Sequence, residues 1–321
     1  MIVIVGGGVM GCTLSYLLAA RGRRVTLLES YRIGQGGASG VPVALLNPYR
    51  GRSARASDFD TASLAAMWRL VDELEAQGLE TGVHRSGVIR IASNAKQAKT
   101  WRGRAGVRWL DVNAVPGAYH APFGGFVAPQ GGWLEPRLWL KALAEAAQKR
   151  GATLVENCAV TRVAPGLELE TTQGTIQATR VVLCSGSGTA LGQGVLGLEN
   201  VAGEVIGLER DDDFANPLPY PLAGAVYGAQ VADTFFLGGN HRPATLADET
   251  APAQLQRAGG WFIPSLQGAA LTSVWHGVRA KTESNLPLVC ELRPGLVFAG
   301  ALAGRGFLCA AHVALELADT L

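Results

Sequence analysis

The chain has little of what marks a secreted or membrane protein. No run of about 20 apolar residues occurs, which excludes a transmembrane helix. Cysteine is scarce. The five cysteines, Cys12, Cys158, Cys184, Cys290 and Cys309, are odd in number and scattered, with no C-x-x-C pair and no Cys/His cluster. A disulfide framework and a metal site are thereby excluded, and the thiols read as reduced and mostly buried in a cytoplasmic protein. Net charge is also small. A formal +2 excludes strong non-specific polyanion binding as the main business and leaves room only for local basic patches. Met1 leads straight into an apolar strand, leaving no space for a signal peptide. Internal repeats and low-complexity segments are absent.

Glycine and apolar residues are plentiful. Forty-two glycines and 48% hydrophobic residues in 321 suit a turn-rich α/β chain, long enough for two domains. The strand Ile2-Val3-Ile4-Val5 runs into Gly6-Gly7-Gly8-Val9-Met10-Gly11. Gly6, Gly8 and Gly11 fit the G-x-G-x-x-G dinucleotide fingerprint. Gly6 permits the tight turn, Gly8 lets backbone approach a pyrophosphate, and Gly11 lets the next helix pack close to the sheet. That helix, Cys12 to Arg21, presents its N-terminus to the phosphates and stops at Gly22. A second strand, Arg24 to Leu28, ends at Glu29, placed to bind ribose hydroxyls. The bland alternative is a βαβ turn without a ligand.

Further along, Gly34 to Gly40 forms a Gly/Ser-rich loop whose backbone N–H groups suit a bound cofactor. An amphipathic helix from Asp58 to Gln77 follows, capped by Ser57 or Asp58. Period-two patterning then predicts antiparallel strands at Val83–Ser93, Val107–Leu110 and Gly125–Leu134. A helix spans Pro136 to Arg150. Strands follow near Thr153–Val155 and Val160–Val163, then a hairpin, Leu167–Thr171 and Thr175–Ala178. Val181 to Cys184 reads as a buried parallel strand ending in Ser185-Gly186-Ser187-Gly188. From Val201 to Thr282 the pattern is strand-like and punctuated by proline. Leu296–Ala299 is a buried strand, Gly300–Gly306 a loop and Phe307–Leu321 a helix. Residues 1–78, 135–200 and 290–321 are therefore expected to form a discontinuous nucleotide-binding domain. Residues 79–134 and 201–289 form a second, antiparallel domain.

The glycine turn, the early acid, the late strand before Gly300 and the interleaved β insertions resemble the D-amino-acid-oxidase-like family of FAD enzymes. Its members include glycine oxidase, sarcosine oxidase and the FAD domain of the MnmC tRNA-modification proteins. Three segments are most similar to the MnmC domain: Ala38-Ser39-Gly40 with Ala44 to Pro48, Pro129 to Pro136, and Gly300 to Gly306. The methyltransferase domain that usually precedes that FAD domain has no counterpart here, so any methylation would belong to another protein.

The resemblance implies an α/β fold, a Rossmann-type FAD-binding domain with an interleaved, mainly antiparallel β substrate domain. It implies FAD contacts from Gly6, Gly8, Val9, Met10 and Gly11, from Glu29 and Ser30, and from Ala38, Ser39 and Gly40. Val160, Ser185, Gly186, Gly304, Arg305, Gly306, Phe307 and Leu308 complete the set. The family holds a substrate carboxylate with an arginine in G-x-R-x-x-T/S-x-x-x-x-P, matched here by Gly277 to Pro287, so Arg279 takes that role. A guanidinium offers two parallel donors to a carboxylate. Sarcosine oxidases tether flavin through a cysteine just after this position. Ala280 and Lys281 stand there, which implies non-covalent FAD.

Tyr227 matches a substrate-facing tyrosine and equally suits cross-strand packing. His241 and Arg242 resemble the corresponding MnmC stretch, although a lone histidine is more often structural. Arg305, between two glycines, offers backbone N–H groups to a reduced flavin and a side chain to the substrate. Trp275 and His276 are candidates to wall the pocket. The clusters Arg50, Arg52, Arg55 and Arg102, Arg104, Arg108 read as solvated surface or, with tRNA as substrate, as phosphate contacts. No side-chain base is assigned. The implied reaction oxidises a glycine-type amine, R–NH–CH2–COO−, with molecular oxygen as acceptor. The similarity to the MnmC domain points first to the carboxymethylaminomethyl group of tRNA wobble uridine as the substrate, with a free small amino acid as the alternative. The remaining alternative is a flavin-binding subunit of a larger complex.

Overall fold

The computed structural model describes residues 1–188, 191, 196–209, 218–240, 242–243 and 249–321. At its centre lies a six-stranded sheet in the order Leu288–Arg293, Leu296–Gly300, Arg180–Leu183, Ile2–Val5, Val25–Leu28, Thr153–Val155. Five strands are parallel, and Leu288–Arg293 joins one edge antiparallel. Ile4 sits opposite Leu27 on one side and Val182 on the other.

The first strand is apolar throughout because both faces are covered. Ile2 and Ile4 face a helical layer; Val3 and Val5 face a three-stranded antiparallel sheet, Val160–Val163, Glu168–Thr171 and Gly174–Gln177. The described residues hold six α-helices: α1 (Val9–Ala20), α2 (Asp58–Glu75), α3 (Ala95–Trp101), α4 (Pro136–Lys149), α5 (Ala251–Phe262) and α6 (Gly306–Thr320). Helix α1 packs between α4 and α6, and α6 packs on α2.

The second region is built on the long strand Glu199–Glu209. It pairs antiparallel with Leu271–Lys281 along nearly its whole length, and with Thr234–Gly238 and Arg242–Pro243. Tyr227–Val231 extends that sheet, and α5 packs on it. A further sheet, Val88–Ile91, Gly125–Ala128 and Arg108–Leu110, joins it through a bridge from Ile89 to Leu222.

Several elements depart from the sequence pattern. Helix α1 begins at Val9, not Cys12, because Gly8 is already extended backbone and serves as N-cap. The run Val83–Ser93 is two strands on different sheets, Val83–His84 and Val88–Ile91, separated by a corner at Gly87 (φ +78°). Gly125–Leu134 splits in the same way, and Gly87 N donates to Gly131 O where the two corners meet. The strand Gly132–Leu134 pairs with Ala44–Leu46, so this small sheet links chain segments read as belonging to different domains. Within Val201–Thr282, α5 is a helix where only strands were expected. Pro252 occupies its first turn, where a missing N–H costs nothing.

Candidate active site

A cavity of about 740 Å³ opens over the C-terminal ends of the parallel strands, where ligands bind in open α/β sheets. Its floor includes Gly6, Glu29, Cys184 and Ala301, the residues just beyond four of those strands. The facing wall comes from the long-strand sheet through Gly203, Tyr227 and Arg279.

The glycine turn is built by contact. Gly6 has φ +107°, and a Cβ there would lie 2.6 Å from Cys184 O. A Cβ on Gly11 would collide with the carbonyl oxygen of Gly6, so α1 rests on the strand end only because both are glycine. Gly8 faces the cavity, and its added Cβ would meet only the Ser39 side chain, with Oγ at 3.0 Å. That serine accepts the N–H of Val9 at 3.0 Å. Glu29 accepts from Gly7 N at 2.5 Å, Tyr31 N at 2.9 Å and Ser30 Oγ at 3.1 Å, which fixes its carboxylate beside the turn.

Val9, Met10, Ser30, Ala38, Val160 and Gly186 also line the cavity. So do Gly304, Gly306, Phe307 and Leu308, where α6 starts without a side-chain cap. Its first N–H groups are thus left for a ligand. Gly11 and Gly40 do not line it. Gly40 is buried behind the wall, where a Cβ would lie 3.2 Å from Gly34 O. His241 lies outside the described residues.

Arg279 stands on the strand Leu271–Lys281, opposite Val201. Its guanidinium fills the space left by two glycines: a Cβ on Gly203 would lie 2.6 Å from Nη2, and one on Gly304 would lie 3.4 Å from Nη1. The fork is therefore suspended between the long strand and the loop before α6. Tyr227 lies close enough for its titration to feel Arg279. Burial raises the Tyr227 pKa and the arginine charge works against it. The phenol remains protonated at neutral pH and can donate a hydrogen bond. Trp275 and Val278 complete this wall, whereas the His276 imidazole is 65% exposed.

One assignment is corrected. The Arg305 side chain was expected to reach the substrate. It is instead 7% exposed and committed elsewhere. Nη1 donates to Asp60 Oδ1 at 2.8 Å, Nη2 donates to Asn285 O, and the guanidinium lies over Phe59. Asp60 also accepts from Arg50 Nε at 3.0 Å and Ser57 Oγ at 2.6 Å, inside the capping box that starts α2. Burial by itself would raise the Asp60 pKa, but the hydrogen bonds from Ser57 and Arg305 and the charges of Arg50 and Arg305 outweigh it and hold the carboxyl below its usual range.

Sequence reasoning missed two buried charges on the cavity wall. Glu204, fully buried, accepts from Asn240 and Arg242, and His276 Nδ1 lies 3.4 Å away. Arg90, also on the wall, is 5% exposed. Period-two patterning through Val88–Ile91 placed Arg90 in a strand, but nothing in the pattern said which face it occupies.

The glycine turn, the acid at the end of the second strand and a second sheet roofing the cavity define a flavin- or nicotinamide-dependent oxidoreductase of the dinucleotide-binding class. A family model described as FAD dependent oxidoreductase (DAO) matches residues 1–320, and the chain belongs to that family. It is 28% identical to the glycine oxidase of Geobacillus kaustophilus, over 99% of this chain and 92% of that protein. The crystal structure of glycine oxidase from that organism superposes with a TM-score of 0.85 at 27% identity, covering 99% of this chain and 93% of the other. The bifunctional tRNA 5-methylaminomethyl-2-thiouridine biosynthesis protein MnmC of Ralstonia nicotianae is 29% identical over 48% of this chain and 26% of its own length.

FAD is the cofactor of the family, and the residues present fit it. Gly8 leaves backbone exposed at the start of α1 for a pyrophosphate, Glu29 suits a ribose, and the uncapped start of α6 offers N–H groups to the flavin. Two cysteines of the cavity, Cys158 and Cys184, lie at the Glu29 and Gly6 end: Cys158 N donates to Glu29 O, and Cys184 O abuts Gly6. Burial pushes the Cys184 pKa up to about 12, so this thiol is not a nucleophile. Like its relatives, the protein is an FAD-dependent oxidoreductase acting on a C–N bond. Among the described residues, no helix is long and apolar enough to cross a membrane.

Proposed function

We propose that the substrate is a glycine-type amine, R–NH–CH2–COO−, bound as a small free molecule. The observation that carries this reading is the placement of Arg279. Its guanidinium is held between Gly203 and Gly304, beside Tyr227, in the cavity that also contains the glycine turn. A fork in that position grips a carboxylate by two parallel hydrogen bonds. The Tyr227 hydroxyl stands by as a further donor, and Trp275 and Val278 exclude water from the same wall. When bound, FAD supplies the two-electron acceptor. Loss of hydride from the α-carbon turns the C–N bond into an imine, and water then releases glyoxylate and the amine. Arg279 fixes which C–H is presented. No side-chain base is needed when the amine binds neutral. Molecular oxygen serves as the final acceptor and leaves as hydrogen peroxide.

End-to-end likeness to a glycine oxidase favours the free amine. A second reading, the carboxymethylaminomethyl group of tRNA, is favoured by the likeness to MnmC and by exposed Arg52 and Arg55 beside the cavity residue Arg50. The discontinuous division at residues 1–78, 135–200 and 290–321 against 79–134 and 201–289 belongs to the same proposal, with substrate held where the two parts meet. Anaerobic mixing of the yellow enzyme with glycine, with sarcosine and with tRNA carrying the modified uridine separates the readings. Bleaching of the flavin by glycine or sarcosine alone supports the free amine. Bleaching by the tRNA alone transfers the function to RNA. Bleaching by none of the three removes glycine-type amines as substrates.

A further inference from the structure

We infer that the cavity holds a second anion subsite centred on Arg90, and that the preferred substrate carries an acidic group on R in addition to the glycine carboxylate. The inference rests on the glycine-type reading above and names the substrate class within it.

Arg90 lies on the strand Val88–Ile91, on the cavity wall and 5% exposed. Its Nη1 donates to Tyr49 O at 2.5 Å, its Nη2 donates to Gly51 O at 2.8 Å, and its guanidinium carbon lies 5.1 Å from the centre of the Trp101 ring. Nε has no hydrogen-bond partner. No carboxylate among the described residues pairs with this cation, and burial pushes its pKa down to about 10. It therefore still carries its charge at neutral pH.

A buried guanidinium balanced only by carbonyl dipoles is costly to keep. The neighbouring cations are balanced: buried Arg305 by Asp60, and half-buried Arg242 by Glu204. Arg90 alone among these three faces the cavity with its charge uncompensated. A ligand anion would supply what the protein does not.

The position suits the far end of a substrate held by Arg279. Ala223 N donates to Ile89 O, and the chain runs from Ala223 and Gly224 on the cavity wall to Tyr227 beside Arg279. Arg50 joins Arg90 on the wall, with Nε on Asp60 and a side chain 40% exposed. The wall thus carries two cations, Arg279 beside Tyr227 and Arg90 on the strand bonded to Ala223, and a molecule with two carboxylates joined through an amine would pair with both.

Two ether isosteres test this without turnover. Methoxyacetate carries one carboxylate and diglycolate carries two, and neither has an oxidisable C–N bond. Their dissociation constants are read from the shift of the flavin absorption band of the holoenzyme at fixed ionic strength. Diglycolate is expected to bind about ten- to a hundred-fold more tightly, the worth of one hydrogen bond to a charged group. Arg90→Met should bring the ratio of the two constants to about one. A ratio within one variant cancels any general loosening of the site. Should Arg90→Met not retain flavin, Arg90→Lys carries the test by reducing the ratio without removing it. Equal binding of the two compounds by the unmodified enzyme, or a ratio unchanged in either variant, overturns the subsite. Sarcosine turnover with no diglycolate preference sinks only this inference. A diglycolate preference without turnover of any glycine-type amine sinks only the assigned chemistry.

Discussion

Asp60→Asn is expected to loosen the whole cavity from a position outside it. The wild-type carboxylate is 1% exposed and accepts from Ser57, Arg50 and Arg305, tying the start of α2 to the loop that precedes α6. The amide keeps the shape and one acceptor but leaves the Arg305 guanidinium buried without a counter-charge. Removing one partner of a buried pair costs about 3–5 kcal/mol. For a chain of this length, that lowers the unfolding midpoint by about 4–7 °C. Ser57→Ala, which removes the cap and one hydrogen bond to Asp60 but leaves the Arg305 pair, should lower it by about 1–2 °C.

The pH dependence has a definite sign. A carboxyl whose folded pKa is depressed stabilises the fold above its unfolded value, about 3.9, and loses that contribution as pH falls through the folded value. The gap between wild type and Asp60→Asn should therefore be constant from about pH 5 to 8 and narrow below about pH 4. Scanning calorimetry of the flavin-loaded proteins measures both. A midpoint within 1 °C of wild type at neutral pH would refute the reasoning, because the buried pair would then contribute nothing beyond its desolvation cost.

Arg279→Lys keeps the charge and loses the fork. It should retain flavin yet lose about ten- to a hundred-fold in kcat/KM for carboxylate amines, the loss expected from one charged hydrogen bond of roughly 1.5–3 kcal/mol. Unchanged kinetics would remove Arg279 from the site. Gly203→Ala places a Cβ 2.6 Å from Arg279 Nη2 and 3.0 Å from Asn240 O. KM should rise about ten-fold or more while the unfolding midpoint hardly moves, since a displaced fork mispositions substrate rather than the fold. A large loss of stability with normal KM would show that the glycine serves packing alone. Thiol alkylation of the native protein should reach the half-buried Cys290 first. Cys12, Cys184 and Cys309, with pKa values raised by burial, should stay unmodified until unfolding, and mass spectrometry of peptides reads the order.

The parallel sheet was legible because its signals are local. Ile2–Val5 is a four-residue apolar run against a glycine turn, and only a strand covered on both faces has that pattern. Helix α5 was illegible for the opposite reason. Gly259 and Gly260 are poor helix formers, but a Cβ at Gly259 would strike Leu237 and one at Gly260 would lie 2.5 Å from Gln267. They are glycine to let the helix come close, a demand that appears only in three dimensions. The cavity residues followed the same division. Gly6, Gly8, Glu29 and Ser39 lie near one another in sequence, and spacing located them. The pair Asp60–Arg305 spans 245 positions, and Arg90 looks in sequence like any strand arginine. Burial and partner choice decide what such side chains do, and neither is written in a local pattern.

The central sheet also dictates when in the life of the chain a flavin can enter. Ile2–Val5 leaves the ribosome before its partners: Arg180–Leu183 emerges some 178 residues later, and Leu296–Gly300 later still. The start of α6 and the Arg305 that anchors it come after all of these strands. At about 5–20 residues per second the nascent polypeptide spends about 15–60 s with its earliest apolar strand incompletely sheltered and no place for a cofactor. Flavin uptake thus waits until the start of α6 has been made. Chains stalled or clipped before residue 300 stay colourless, and bound flavin marks a polypeptide that was extended past the start of α6 and closed.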